Sequence, residues 1–183
     1  MPRAGEDDLA ELLAARDGDG DAATRLLRRH GPSMLATARH VLGRAGRQEA
    51  EDAVQDALIA AWSTEALPVG DMGAWLRAIA VRKALDGRRK TQRLAETSLP
   101  EGDVDGLLPA QGGPERALAG LAVERAFQRL PLADRAVLIL VELEGLSMAE
   151  AAGRLGTTTM AVKWRAVRAR RRLRAAILGE RDA

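Results

Sequence analysis

Ser147 and Glu150 have the types and spacing of a reciprocal helix cap. The hydroxyl accepts from the backbone of a new helix, and the carboxylate accepts from the N–H of the cap residue itself. The helix they open is predicted to end at Leu155, because Gly156 tolerates the left-handed conformation that closes a helix and Thr157 and Thr158 offer the next cap. The following helix carries Val162, Val167 and Leu173 among Lys163, Arg165, Arg168, Arg170, Arg171, Arg172 and Arg174, with no acidic residue from Lys163 to Arg174. A short helix, a turn of about three to four residues and a long basic helix have the layout of a helix-turn-helix, and the cationic stripe suits a phosphate backbone. Arginine-rich helix ends also occur as solvated faces that favour the helix dipole. It is the order of cap, glycine turn and acid-free basic helix that points to DNA.

Two further charged faces lie upstream. From Gln48 to Trp62 the apolar residues Ala50, Ala53, Val54, Ala57, Leu58, Ala61 and Trp62 recur at helical spacing, which places Glu49, Asp52 and Asp56 together on the opposite face with Glu51 and Gln55 beside them. This negative stripe faces either solvent or a basic partner. Beyond a Pro- and Gly-containing loop, Leu67 to Gly70, a second long helix holds Trp75, Leu76, Ile79 and Leu85 inside. Arg77, Arg82, Lys83, Arg88, Arg89 and Lys90 lie outside, interrupted only by Asp86. Indole rings near a basic surface can stack on unpaired bases, but Trp62 and Trp75 at helical spacing read first as core.

Catalytic chemistry finds no footing. His30 and His40 have no cysteine or paired carboxylate at ligand spacing, there is no phosphate-cradling glycine motif, and no nucleophile–base pair can be assembled. We therefore expect no enzyme, no metal and no cofactor, and read both histidines as ordinary helix residues.

The elements that must position these faces are helical throughout. Aromatic residues are confined to Trp62, Trp75, Phe127 and Trp164, β-branched runs are nearly absent, and Ala, Leu, Arg and Glu dominate. Leu9, Leu12 and Leu13 start a first helix, which Gly18-Asp19-Gly20 ends before Asp21 caps the next. Leu26, Leu27, Met34, Leu35, Val41 and Leu42 continue across Gly31-Pro32, where proline is expected to break or kink the helix. With 183 residues, 46% apolar and 30% charged, the chain suits one medium or two small globular domains. Its formal charge of +2 makes bulk charge uninformative, so any nucleic-acid surface must come from segregating basic and acidic residues. The absence of cysteine excludes disulfides, thiolate metal sites and thiol redox sensing, and fits a reducing compartment. No signal-peptide core follows the start MPRAGEDD, and no apolar run approaches the roughly 20 residues that span a bilayer, so a cytoplasmic location is expected.

Periodicity disappears between about Thr91 and Pro114, where Glu96, Pro100, Glu101, Asp103, Asp105, Pro109, Gly112, Gly113 and Pro114 form an acidic linker. The expected fold is all-α: two small helical domains joined by a flexible acidic linker, the second a helix-turn-helix domain. No internal repeat relates the two halves.

Three blocks in this order, AEDAVQDALIAAW from Ala50, AWLRAIAVRKALD from Ala74, and LPLADRAVLILVELEGLSMAEAAGRLGTTTMAVKWRAVRARRRLR from Leu130, resemble the extracytoplasmic-function class of the sigma-70 family of bacterial sigma factors. The resemblance covers nearly the whole chain. It implies a transcription initiation factor that binds core RNA polymerase through the β′ clamp helices and β flap, directs it to promoter DNA and helps to open the duplex, without covalent chemistry. It implies a region 2-like domain over 1–92, a linker over 93–114 that runs through the polymerase, and a region 4-like domain over 115–183. Glu51, Asp52, Gln55 and Asp56 match the polymerase-binding block. Arg77, Arg82, Lys83, Asp86, Arg88 and Arg89 fall in the block that meets the minus-ten strand. Near the start of the recognition helix, Thr158, Thr159, Met160, Lys163, Trp164 and Arg165 are expected at bases or nearby phosphates of the minus-thirty-five element, with Arg168 and Arg172 on the backbone.

The chain departs from the family at several positions. Ala23, Leu27 and Leu58 stand where aromatic residues are usual, and Phe is common near Met72; these read as smaller core substitutions. Arg82 replaces a frequent Asn in the minus-ten block, so recognition and melting there are expected to be altered. Trp164 replaces a small hydroxyl residue on the DNA-facing helix, and either stacks on a thymine methyl and sugar or turns back into the core. The additional C-terminal domain of some relatives is not expected, and regulation by an anti-sigma factor is. The alternative reading is a stand-alone helix-turn-helix regulator that binds a palindromic operator without polymerase.

Overall fold

The computed structural model describes residues 4–43, 46–68, 70–94 and 114–179, and every regular element among them is helical. In chain order these are α1 (Ala4–Arg16), α2 (Gly20–Leu42), α3 (Arg47–Ser63), α4 (Met72–Leu94), α5 (Pro114–Gln128), α6 (Leu132–Leu138), α7 (Met148–Leu155) and α8 (Thr159–Gly179), with a π turn at Ile139–Leu143. The all-α class read from the sequence is what the structure shows. Residues 95–113, the bulk of the expected linker, lie outside the described residues.

The first four helices pack on one another, with α2 and α4 at the centre. On α3 the residues that repeat at helical spacing, Ala50, Ala53, Val54, Ala57, Leu58 and Ala61, are buried against Trp75, Leu76, Val81 and Leu85 of α4 and Met34, Ala38 and Val41 of α2. Alanine on so many of these positions lets the helices approach closely. Trp75 is core and Trp62 packs against it, as their spacing predicts. Arg16 donates to Ala61 O at 3.0 and 3.2 Å and to Ala66 O at 2.9 Å, so the last turn of α1 satisfies carbonyls that the end of α3 leaves open.

Several expectations are corrected here. Asp19, not Asp21, caps α2: its carboxylate accepts from Asp21 N at 2.9 Å and Ala22 N at 3.0 Å. Pro32 does not interrupt that helix, which runs from Gly20 to Leu42. Proline inside a helix costs about 3 kcal/mol, but the buried residues Leu26, Met34, Ala38, Val41 and Leu42 lie on both sides of it, and their packing outweighs one lost backbone bond. Leu58 and Met72 are core, whereas Leu27 is exposed and Ala23 half-buried, so the smaller residue at 27 fills no core space.

The C-terminal helices build the helix-turn-helix as its sequence requires. Ser147 N donates to Glu150 Oε2 at 2.8 Å and Glu150 N to Ser147 Oγ at 3.2 Å, closing the capping box that starts α7. Gly156 ends α7 at φ 62°, ψ 41°, and Thr158 Oγ1 accepts from Ala161 N at 3.1 Å to start α8. The π turn is absent from any sequence pattern. It ends α6 by hydrogen bonds from Glu144 N to Ile139 O and Leu146 N to Leu140 O, each 3.0 Å, and presents Glu142 and Glu144 in different directions.

The hydrogen bonds from the Ser147 side chain and backbone hold the Glu150 carboxyl below its ordinary 4.5, with Arg154 adding to the effect. A lowered folded value means that the cap stabilises above the unfolded value and is lost as pH falls through the folded one. Glu150→Gln should therefore melt below the wild type at pH 7, and the gap should close as pH drops below 4.5. Thermal melts followed by circular dichroism from pH 7 to acid check this; a gap of constant size would remove the carboxylate's charge from the account.

Candidate nucleic-acid interface

Asp134, in the first turn of α6, is fully buried, and α8 passes over it. Its Oδ1 accepts from Arg168 at 3.0 Å, its Oδ2 from Arg172 at 3.0 Å, and Arg165 lies 3.8 Å from Oδ1. The hydrogen bond that Arg168 donates to Asp134 raises the pKa of Arg168 above its ordinary value. A second acid, Glu142 in the π turn, takes Arg170 at 2.5 and 2.9 Å. Four arginines of the acid-free helix are thus paired with acids of other elements. Spacing along α8 explains the division: Val162, Ala166 and Ala169 are buried, and Arg165, Arg168 and Arg172 run down the flank beside them.

The outer face of α8 is different. Lys163, Arg171 and Arg174 are exposed there, with no ion pair or hydrogen bond among the described residues. They share that face with Met160, Trp164 and Val167, which are 62%, 70% and 59% exposed. Trp164 therefore does not turn into the core. Of the residues expected at the minus-thirty-five element, Thr158 caps the helix, Thr159 is half-buried, Met160, Lys163 and Trp164 project outward, and Arg165, Arg168 and Arg172 are held by Asp134. Sequence reasoning missed Asp134. The signal was available in three arginines at i, i+3 and i+7 on one helix flank, which call for a shared counter-charge.

On α4 the expected outward cations also divide. Arg82 and Arg89 are exposed and lie 3.8 and 3.6 Å from Asp86, and Lys83 is half-buried. Arg77 and Arg88 do not lie outside. Arg77 donates to Glu144, the residue that closes the π turn, at 2.7 and 2.8 Å, in a pair where the side chains are 24% and 5% exposed. That bond raises the Arg77 pKa further. Arg88 Nε stands 2.8 Å from Glu49 Oε2 as an ion pair, although neither atom has hydrogen-bond alignment. The two halves of the chain meet along this seam, where Ala136, Val137, Ile139 and Leu140 join the core of the first four helices and Gln128 donates to His40 O at 3.1 Å. Arg135 donates to Gln128; burial, and then Arg88 beside it, push its guanidinium down to about 10.

On α3 the acidic stripe is likewise part structural. Glu49 pairs with Arg88 and Glu51 with Arg39 at 3.0 Å, while among the described residues Asp52 accepts only from Gln48, at 3.2 Å. Asp56 and Gln55 are exposed without a partner among the described residues, and Ile59 is exposed beside them. His30 pairs with Asp8 at 2.9 Å and His40 with Ala36 O at 2.7 Å. No helix among the described residues is long and apolar enough to cross a membrane.

An all-helical architecture with an exposed acidic face on one helix, a basic face on the next and a C-terminal helix-turn-helix offers surfaces suited to a protein and to nucleic acid. The chain matches the Sigma-70 region 2 family over residues 26–94 and the Sigma-70, region 4 family over 120–173. It is 35% identical over 173 residues to the ECF RNA polymerase sigma factor SigM of Mycobacterium tuberculosis, covering 93% of this chain and 84% of the relative. It is 34% identical over 179 residues to the RNA polymerase sigma factor NccH of Alcaligenes xylosoxydans xylosoxydans, covering 90% and 92%. Among solved structures it resembles the sigma factor RpoE in complex with the anti-sigma factor NepR from Bartonella quintana, with a TM-score of 0.65, 28% identity, and coverage of 84% and 95%. It also resembles CnrH in complex with the cytosolic domain of CnrY, with a TM-score of 0.56, 28% identity, and coverage of 97% and 99%. The chain belongs to the extracytoplasmic-function sigma factors of the sigma-70 family. It is a transcription initiation factor, which binds core RNA polymerase and directs it to promoters.

Two substitutions test the internal pairs. Asp134→Ala and Asp134→Asn should each lower the melting temperature by several degrees, because Asn keeps one acceptor and turns an amide NH2 toward a guanidinium donor; an Asn variant as stable as the wild type would show that the carboxylate's charge is idle. Across the seam, Arg77→Glu and Glu144→Arg should each destabilise the chain, and the double exchange should recover most of the loss in a double-mutant cycle. Additive losses in that cycle would remove the pair.

Proposed function

We propose that the three faces divide the work of initiation. The α3 face holds polymerase, α4 meets the minus-ten strand, and α8 enters the major groove of the minus-thirty-five element. The observation that carries this reading is which charges stay unpaired after the fold has used the others. Asp52, Gln55 and Asp56, with Ile59 beside them, form a small acidic surface with an apolar edge suited to a basic coiled coil such as the β′ clamp helices; Glu51 flanks it from its pair with Arg39. Arg82, Lys83 and Arg89 offer cations to a single strand, with Asp86 between two of them. Arg77 and Arg88 complete the minus-ten set only when the seam opens, and a phosphate then replaces Glu144 as the counter-charge of Arg77.

At the start of α8, the cap residue Thr158 with Thr159, Met160, Lys163, Trp164 and Arg165 form the reading end, and Arg168 and Arg172 use their remaining donors on phosphates while Asp134 fixes them. The region 2-like unit spans 1–92 and the region 4-like unit 115–183, with 93–114 as the linker. The factor works in the cytoplasm and carries out no covalent chemistry. The likeness to two sigma factors solved with their partners NepR and CnrY supports an anti-sigma factor as a further partner of this chain.

Run-off transcription with bacterial core polymerase on genomic fragments tests the reading. Promoter-specific transcripts should require this chain. The double substitution Asp52→Lys and Asp56→Lys should reduce polymerase binding by at least about tenfold, since like charge now faces the basic coiled coil, while circular dichroism stays native. Unchanged affinity would move the polymerase site off α3.

A further inference from the structure

The outer face of α8 holds a feature that phosphate binding does not explain. Met160, Trp164 and Val167 recur at i, i+4 and i+7 and stand well out of the protein. A single exposed apolar side chain is ordinary, but a stripe of them on one helix marks a contact surface. Lys163, Arg171 and Arg174 share that face without partners among the described residues, and α8 has no acid from Lys163 to Arg174. The partner that suits apolar groups set among free cations is a polyanion with apolar points on its recognition edge. In the major groove of duplex DNA, those points are the C5-methyl groups of thymine.

We propose that Met160 and Trp164 read thymine methyl groups in the major groove, while Lys163, Arg171 and Arg174 hold the adjoining phosphates. This deepens the proposed minus-thirty-five contact and rests on it. The geometry is consistent in length: four residues of helix advance about 6 Å, close to two base-pair steps of about 3.4 Å each. Trp164 sets the specificity because its indole, 70% exposed, presents the broadest apolar surface of the stripe, flanked by Lys163. Arg165 lies on the flank of α8 that faces Asp134 rather than on this outer stripe.

Deoxyuridine tests the proposal, because it removes the methyl and leaves every hydrogen-bonding group of thymine in place. The full chain with core polymerase is assayed by run-off transcription on a promoter it selects from genomic fragments. Each thymine of the upstream element is then replaced in turn by deoxyuridine. At one or two positions initiation should fall about fourfold, the worth of one buried methyl at about 0.8 kcal/mol. Trp164→Ser should abolish the difference between thymine and uracil at one of those positions, and Trp164→Phe should keep part of it; Trp164 is exposed, so the melting temperatures of both should match the wild type. Equal initiation on thymine and uracil templates, a selected element without thymine, or undiminished methyl sensitivity in Trp164→Ser overturns the proposal and leaves the initiation reading standing. Failure of any fragment to give core-dependent transcripts overturns both.

Discussion

A carboxylate shut away from water governs the C-terminal half of this protein. Asp134 has no exposure to solvent, and an uncompensated buried charge costs several kcal/mol. Its compensation comes from Arg168 and Arg172, both on α8. The rotation of α8 about its own axis is thereby fixed twice, once by the burial of Val162, Ala166 and Ala169 and once by the demand of Asp134 for guanidinium groups. Turning α8 by even a quarter would bury a cation or expose the acid. What the helix shows to the outside, Met160, Lys163, Trp164, Val167, Arg171 and Arg174, is the remainder after that constraint has been met.

The same subtraction applies across the molecule and explains how a chain of formal charge +2 presents strongly signed surfaces. Glu49, Glu51, Asp134, Glu142 and Glu144 each neutralise an arginine of another element. Such pairs contribute modestly where exposed and more where half-buried, but in every case they commit a charge to the fold. Among the described residues, Asp52 and Asp56 on α3, Lys83 on α4 and Lys163, Arg171 and Arg174 on α8 are left without an ion pair. Segregation arises from pairing in three dimensions rather than from blocks of like residues.

The parts of the architecture that depend on local spacing were legible in the sequence. The capping box at Ser147, the left-handed Gly156, the core stripe of α3 and the burial of Trp75 follow from contacts within a turn or two of helix. Pro32 was misread because local propensity argues for a break, while the decision belongs to neighbours on α1, α3 and α4. The π turn and the roles of Asp134 and Glu144 were illegible for a related reason. A charge on one element says nothing about which element will lie across from it. The expected DNA contacts of α8 divide along this line: Trp164 projects outward, whereas Arg165, Arg168 and Arg172 face a residue that lies about thirty positions away in the chain.

The seam between the halves shows the same logic under opposing forces. Arg77 and Glu144 attract in a half-buried setting, and apolar residues of α6 and the π turn add contact with the first four helices. Against this, Arg88 and Arg135 bring like charges together, and the depressed value of about 10 at Arg135 records that burial and repulsion both disfavour its charged form. A base with a lowered folded value favours the folded state least while it is fully charged, so at neutral pH Arg135 works against the seam. Glu49 beside Arg88 and Glu124 beside Arg135 offset part of that strain. The arrangement is therefore held by packing and one strong ion pair, and opposed by two of its own arginines. A polyanion that draws Arg77 and Arg88 outward removes the attraction and relieves the repulsion in one step.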